Sequence, residues 1–308
     1  MNKYKIIILL FVLFFMTGCT TYLKDEENKS VVYENTGQVL PLNIICKPNN
    51  EDILALYKDN KADLSKLEEC RDLQLVSGEY EGLWTSFFVK PLAWLIIEIG
   101  SIVKNYGLSL IIVGILIRLL LYPVTKGTAL QSKRMAEAKP EMDQLEKKYK
   151  DKKTQEDMMK KSQEMMMIYQ KHKVNPFSSC LFALLQLPLF FAFLEAISRV
   201  PAIFEETFLT LQLGTTPLTA ILDHGQFQYL LVVILLGIVT KYSFNFNNVS
   251  VNPEAEKQMA FMSKFLLIFI PLISFTMSTA LSIYWITSSA FTIIQNAIVK
   301  RSDNNEKI

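Results

Sequence analysis

Long apolar runs alternate with strongly charged stretches along this chain. That alternation limits it to folds that cross a membrane repeatedly. Half of its 308 residues are apolar, yet the charged fifth is segregated rather than interspersed. A soluble domain mixes the two at the spacing of its helices and strands, and a disordered tail lacks the apolar runs. The expected architecture is an all-α integral membrane protein.

Other classes are excluded by what the chain carries. Its four cysteines, Cys19, Cys46, Cys70 and Cys180, are too few for a disulfide scaffold and form no C-x-x-C pair. His172 and His224 are far apart in sequence, so a histidine metal site or triad has little support. No H-E-x-x-H, G-x-S-x-G or Walker A pattern occurs, and no cofactor is expected. The formal charge of +2 gives no reason to expect a nucleic-acid sequence as partner.

The first 18 residues read as an address. Lys3 and Lys5 precede an unbroken apolar stretch from Ile6 to Met16, followed by Thr17-Gly18-Cys19. Cysteine directly after glycine resembles a bacterial lipobox, with Met16 standing where leucine is usual. Residues 1–18 are therefore expected to be a lipoprotein signal peptide, with Cys19 lipidated and held at the outer membrane surface. An ordinary signal peptide or an uncleaved anchor is the alternative.

Local charge then orients the rest. Residues 20–80 hold seven Lys/Arg against twelve Asp/Glu, a net of −5, and suit an exported segment. Within it, Cys46 and Cys70 bracket one or two short helices between Asn49 and Leu73. A disulfide between them and two free thiols are both open. Residues 81–105 are apolar but interrupted by Lys90, Pro91 and Glu98, with Trp84 and Trp94 suited to headgroup level, so they read as an interfacial amphipathic helix. A span follows from Tyr106 to Tyr122. Residues 126–173 carry thirteen basic against eight acidic residues, a net of +5. Pro140 and the charges at Lys147–Lys153 predict a helical hairpin, in which Met142, Leu145 and Tyr149 face Met158, Met159, Met165, Met166 and Ile168.

Phe177–Ile197, Phe227–Val239, Met259–Phe275 and Ile283–Val299 complete five spans over residues 106–300. The connection 198–225 has a net charge of −2, and Lys300-Arg301 begins a short polar tail, 301–308. The positive-inside rule puts 126–173 and the tail in the cytoplasm and the two acidic segments outside. The signal peptide and the loop charges reach the same orientation independently.

Arg118 stands alone in the run Leu108–Leu121. An arginine at bilayer depth costs about 3 kcal/mol or more, so it is expected to snorkel to the surface or to face a wet cavity. Gln186 lies mid-span in the second span. In the last, Trp285, Ser288 or Ser289, Thr292 and Gln295 or Asn296 recur at helical spacing. Hydroxyls alone would serve helix packing, but an arginine, a glutamine and a polar stripe exceed what packing needs.

These residues fall into a familiar order. Tyr106-Gly107-Leu108-Ser109, Arg118 and Tyr122-Pro123-Val124-Thr125-Lys126 come first. Gln163-Glu164-Met165-Met166, Lys173-Val174-Asn175-Pro176, Cys180 and Gln186-Leu187-Pro188-Leu189-Phe190 follow. Leu281-Ser282-Ile283-Tyr284-Trp285 and Thr292-Ile293-Ile294-Gln295 close the series. Over roughly residues 81–300 the chain resembles the YidC family of membrane protein insertases, in the five-span lipoprotein form of bacteria with one membrane.

The resemblance implies five helices around a positively charged hydrophilic groove, open to the cytoplasm and to lipid and closed outside. It implies a groove lined by Arg118, Gln186, Trp285, Tyr284, Ser288, Thr292 and Gln295. It implies nascent membrane proteins as clients, the hairpin as a receiving element, and the Sec translocon, the ribosome and the lipid bilayer as partners. Several relatives carry a hydroxyl one turn before the arginine, where this chain has Gly114. Residues 20–80 lie outside the resemblance. A small-solute channel or transporter is the competing function, and a lipoprotein with a structural membrane role is a third.

Overall fold

The computed structural model describes residues 20–77, 80–152, 154–175, 178–247 and 253–305. The signal sequence and Cys19 lie outside them. Two pairs of two-residue strands form antiparallel ribbons: β1 (Val32–Tyr33) with β2 (Gln38–Val39), and β3 (Thr207–Phe208) with β4 (Leu211–Gln212). The other regular elements are helical. In order come α1 (Glu51–Asp59), α2 (Lys90–Val103), α3 (Tyr106–Leu120), α4 (Tyr122–Tyr149), α5 (Gln155–Lys171) and α6 (Ser178–Arg199). Then follow α7 (Pro201–Phe204), α8 (Pro217–Leu222), α9 (Tyr229–Asn247), α10 (Pro253–Ser274) and α11 (Thr279–Asn305). The chain divides into two compact units. One comprises Met1–Leu116, Gln186–Leu236 and Leu272–Thr287, and the other Ile117–Leu185, Gly237–Pro271 and Ser288–Ile308.

In the first unit, the acidic segment is folded, and α1 lies within the stretch where short helices are expected. Asn50 caps α1 by accepting from the amides of Asp52 and Ile53, while Glu51 and Asp52 complement the dipole. Ile53 and Tyr57, four residues apart, are buried with Leu23, Val31, Leu40 and Ile44. Cys46 and Cys70 are joined by a disulfide with their Cα atoms 4.8 Å apart, and the Lys47 amide donates to the Glu68 carbonyl beside it.

A π-turn at Thr85–Val89 leads into α2. Lys90, expected on a polar face, is buried instead, its Nζ donating to the Ser77 carbonyl at 2.9 Å. By length and composition, Thr85–Val103 is the one helix among the described residues that is long and apolar enough alone to cross a membrane. Lys104 ends α2 in a left-handed conformation (φ 55°). Gly100 must lack a side chain there, because a Cβ would collide with the Tyr106 ring. The Ser109 hydroxyl donates to the Ile96 carbonyl, fastening α3 to α2.

The segment expected as the first span is bent. A 71° bend separates α3 from α4, and the pair together meets the length and composition needed for one crossing. Pro123 sits in the first turn of α4, where a missing N–H loses no helical bond. Arg118 consequently lies in the last turn of its helix rather than at mid-helix.

In the second unit, α4 and α5 form the expected hairpin. Lys148 pairs with Glu164, and Lys171 with Glu141, so the helices run antiparallel. Thr154 caps α5 by accepting from the Asp157 amide. Two expectations are corrected. Pro140 does not divide the hairpin, since α4 runs through it. The seam is built from Met135, Ala138, Tyr169 and Val174, with Met142, Met165 and Ile168 against them. Met158, Met159 and Met166 are 57%, 61% and 59% exposed, because one helix face cannot present every methionine to one neighbour. The last helix also continues past Val299 to Asn305.

Candidate functional site

Within the second unit the polar residues of α11 meet the junction of α3 and α4. Arg118 is 5% exposed. Its Nε donates to the Ser288 hydroxyl at 2.9 Å, and Nη2 approaches the same oxygen. Both lone pairs of that hydroxyl are therefore committed to one guanidinium, which fixes the arginine's direction. The C-terminal end of α3 also favours a cation at this position. One turn further along α11, the Thr292 hydroxyl donates to the Ser288 carbonyl at 3.0 Å. The Gln295 amide then donates to the Thr125 hydroxyl of α4 at 2.8 Å. Ser288, Thr292 and Gln295 are all buried. The row thus ties α11 to both sides of the bend, at Arg118 before it and Thr125 after it.

Thr125 is the member that the sequence offers, with Ser109, only as a hydroxyl to compensate for Gly114 and without a partner. It stands in the Tyr122–Lys126 motif, but nothing local links it to a glutamine 170 residues later. Ser289 is also buried, and the Asn296 Nδ2 atom is buried without a hydrogen-bond partner among the described residues.

Within the first unit, α11 and α6 make an aromatic pair of contacts. The Tyr284 ring stacks on Phe193 with centroids 3.9 Å apart, and Trp285 meets Phe190 edge-on at 4.8 Å. Such pairs add about 0.5–1.5 kcal/mol beyond burial and hold each ring in one orientation. Gln186 lies half-buried on α6, one turn before Phe190. Gly114 faces Thr287 and Tyr284 at ordinary contact distance, so a small side chain would fit there.

Two carboxylates of the first unit lie on its apolar helices α2 and α6. Glu98 is exposed on α2. Glu195 accepts from the Trp84 indole at 2.9 Å and lies 3.8 Å from Arg199.

The chain matches the family model described as 60Kd inner membrane protein over residues 98–307. It is 33% identical to "Membrane protein insertase YidC" of Oceanobacillus iheyensis, over 76% of this chain and 91% of that protein. It is 35% identical to "Membrane protein insertase MisCA" of Bacillus subtilis, over 74% of this chain and 83% of that protein. To "Membrane protein insertase YidC 1" of Halalkalibacterium halodurans the identity is 33%, over 73% and 81% respectively. The chain belongs to the 60Kd inner membrane protein family, the YidC family of membrane protein insertases, and not to a family of enzymes.

Proposed function

We propose that this chain inserts and helps fold integral membrane proteins by offering a buried guanidinium to the polar external part of a client. The observation that carries the reading is Arg118, buried and aimed by Ser288. A guanidinium stays protonated in any surroundings and matches a carboxylate in a two-pronged geometry. At about 4 Å in a medium of effective dielectric near 20, that attraction is worth about 4 kcal/mol. It offsets part of the cost of bringing an acidic tail into the membrane.

The proposed groove is lined by Arg118, Gln186, Tyr284, Trp285, Ser288, Thr292 and Gln295, and is open to the cytoplasm and lipid. The client's apolar helix leaves it sideways into the bilayer. Irregular polar surface at membrane depth is tolerated where it lines such a cavity.

Orientation follows from charge. Residues 20–80 carry −5 and residues 126–173 carry +5, which requires an odd number of crossings between them. The broken α3–α4 pair supplies one. A crossing by Thr85–Val103 as well would return the basic hairpin to the acidic side. We therefore place that helix along the outer interface, with α6, α9, α10 and α11 as the remaining spans and the tail inside. Cys19 anchors the exported segment by its lipid. The hairpin receives clients, and the Sec translocon and the ribosome are the proposed partners.

The test is insertion of a single-span client with an acidic external tail into liposomes holding purified wild type, Arg118→Lys, Arg118→Ala or no protein. Wild type and Arg118→Lys should exceed empty liposomes, and Arg118→Ala should lose most of the gain. Equal insertion by wild type and Arg118→Ala would remove the charge mechanism. No gain by wild type would remove autonomous insertion.

A further inference from the structure

Residues 20–73 form too small a module to stand alone. A segment of this size rarely supplies enough core without a staple. Here the core is finished by a residue from far along the chain: Phe204 of α7 is buried among Leu23, Leu40, Ile53 and Tyr57. The disulfide Cys46–Cys70 supplies the staple.

The contacts that dock the module are concentrated on the connection after α6. The Ile45 amide donates to the Arg199 carbonyl at 2.9 Å, and Arg199 Nε returns a bond to the Asn43 carbonyl at 2.6 Å. Both oxygens of the Glu205 carboxylate are used, accepting from the amides of Asn49 (3.1 Å) and Asn50 (3.2 Å) at the start of α1. The Thr215 hydroxyl donates to the Thr36 carbonyl. The backbones come close enough that a side chain at Gly214 would collide with Gln38 and Phe204, and one at Gly37 with Thr219. Toward Leu194, Thr276 and Ser278 the fit is looser, leaving a cavity of about 280 Å³. The grip is thus on residues 199–219.

We infer that residues 20–73 are an oxidation-dependent clamp that holds the 199–219 connection in place on the outer side. The connection needs one. Its own regular structure is a four-residue helix, a two-residue ribbon and a six-residue helix. Helices this short are not stable by themselves. The clamp also has a lock, since the strand of chain entering α1 is tied through Cys46 to the segment beyond it. The inference rests on the proposed orientation, which places both partners on the oxidising side of the membrane.

Amide hydrogen exchange of the full-length protein in lipid nanodiscs tests it. The samples are wild type, wild type with a thiol reductant, Cys46→Ser with Cys70→Ser, and Glu205→Gln. Glutamine keeps one acceptor oxygen where glutamate has two. Loss of the disulfide should speed exchange about tenfold to a hundredfold in residues 20–73 and in 199–219 together. The hairpin 126–173 should be unchanged. Glu205→Gln should deprotect one of Asn49 and Asn50 and loosen 199–219 by less. If the module opens while 199–219 keeps wild-type protection, the module is a passenger and the clamp is overturned. If neither opens on reduction, the oxidation dependence is overturned. Exchange does not depend on client insertion, so failure here is separate from failure of the insertase reading.

Discussion

Arg118 and Ser288 are 170 residues apart in sequence and 2.9 Å apart in space, with the arginine Nε donating to the serine hydroxyl. A second donor of the same guanidinium converges on that hydroxyl. Ser288 therefore acts as a positioning residue for the charge, and its removal should be felt in client insertion. Ser288→Ala should destabilise the folded protein by about 1.5–3 kcal/mol, the range for a hydrogen bond to a charged partner. It should lower insertion of an acidic-tailed client by less than Arg118→Ala does. Ser288→Thr keeps the hydroxyl and should restore most of the loss. Insertion rates in liposomes, read beside thermal unfolding in detergent, separate the two effects. Equal insertion by Ser288→Ala and wild type would show that the arginine needs no such aim.

The Gln295–Thr125 bond makes a different prediction, about stability alone. Thr125→Val removes the acceptor and leaves a buried amide without its partner, which costs about 1–3 kcal/mol. Gln295→Leu alone leaves the Thr125 hydroxyl bonded to the carbonyls of Leu121 and Tyr122 within its own helix, and should cost less. In the double variant both polar partners are gone, so it should be more stable than Thr125→Val. A double-mutant cycle on thermal unfolding measures this coupling. Strict additivity would place the two side chains in independent environments.

The hairpin should loosen in acid. The carboxyl of Glu141 is held below the usual carboxylate value of 4.5 by hydrogen bonds from Lys171 and then His172. That of Glu164 is lowered by Lys148 and then by Tyr149. Because both values are lower in the folded hairpin than in the open one, the open form binds more protons as pH falls. The stabilisation is complete above about pH 4.5 and is lost as pH drops through the lowered values. Amide exchange in α4 and α5 should accelerate below pH 4.5 after correction for intrinsic rates. It should do so less in Glu141→Gln with Glu164→Gln, which lack the titrating groups. Identical pH dependence in the two proteins would assign the loosening elsewhere.

Much of this was legible in the residues. Ser288, Thr292 and Gln295 lie three or four positions apart, so a helix stacks them on one side whatever surrounds it. The hairpin followed from a charged, glycine-poor stretch, and the structure pairs its helices through Glu141 and Glu164. What sequence could not supply were contacts made across distance. Thr125 reads as one residue of a motif until Gln295 reaches it. The module at 20–73 shows a helical period only around Glu51–Asp59, and its core is completed by the distant Phe204. Arg118 reads as a mid-run charge, since the sequence shows an apolar run and not the 71° bend that ends its helix. The exposed methionines of α5 were misplaced for a related reason. Composition identifies an apolar face, but only the partner decides which part of it is covered.

The central claim is that the charge of Arg118 selects and draws in the external part of a client. The most direct measurement is insertion into liposomes of one single-span client carrying an acidic, a neutral or a basic external tail. Each tail is tested against wild type, Arg118→Ala and Arg118→Glu. The account predicts that wild type favours the acidic tail, that Arg118→Ala treats the three tails alike, and that Arg118→Glu reverses the order. An unchanged preference for the acidic tail in Arg118→Ala would contradict it.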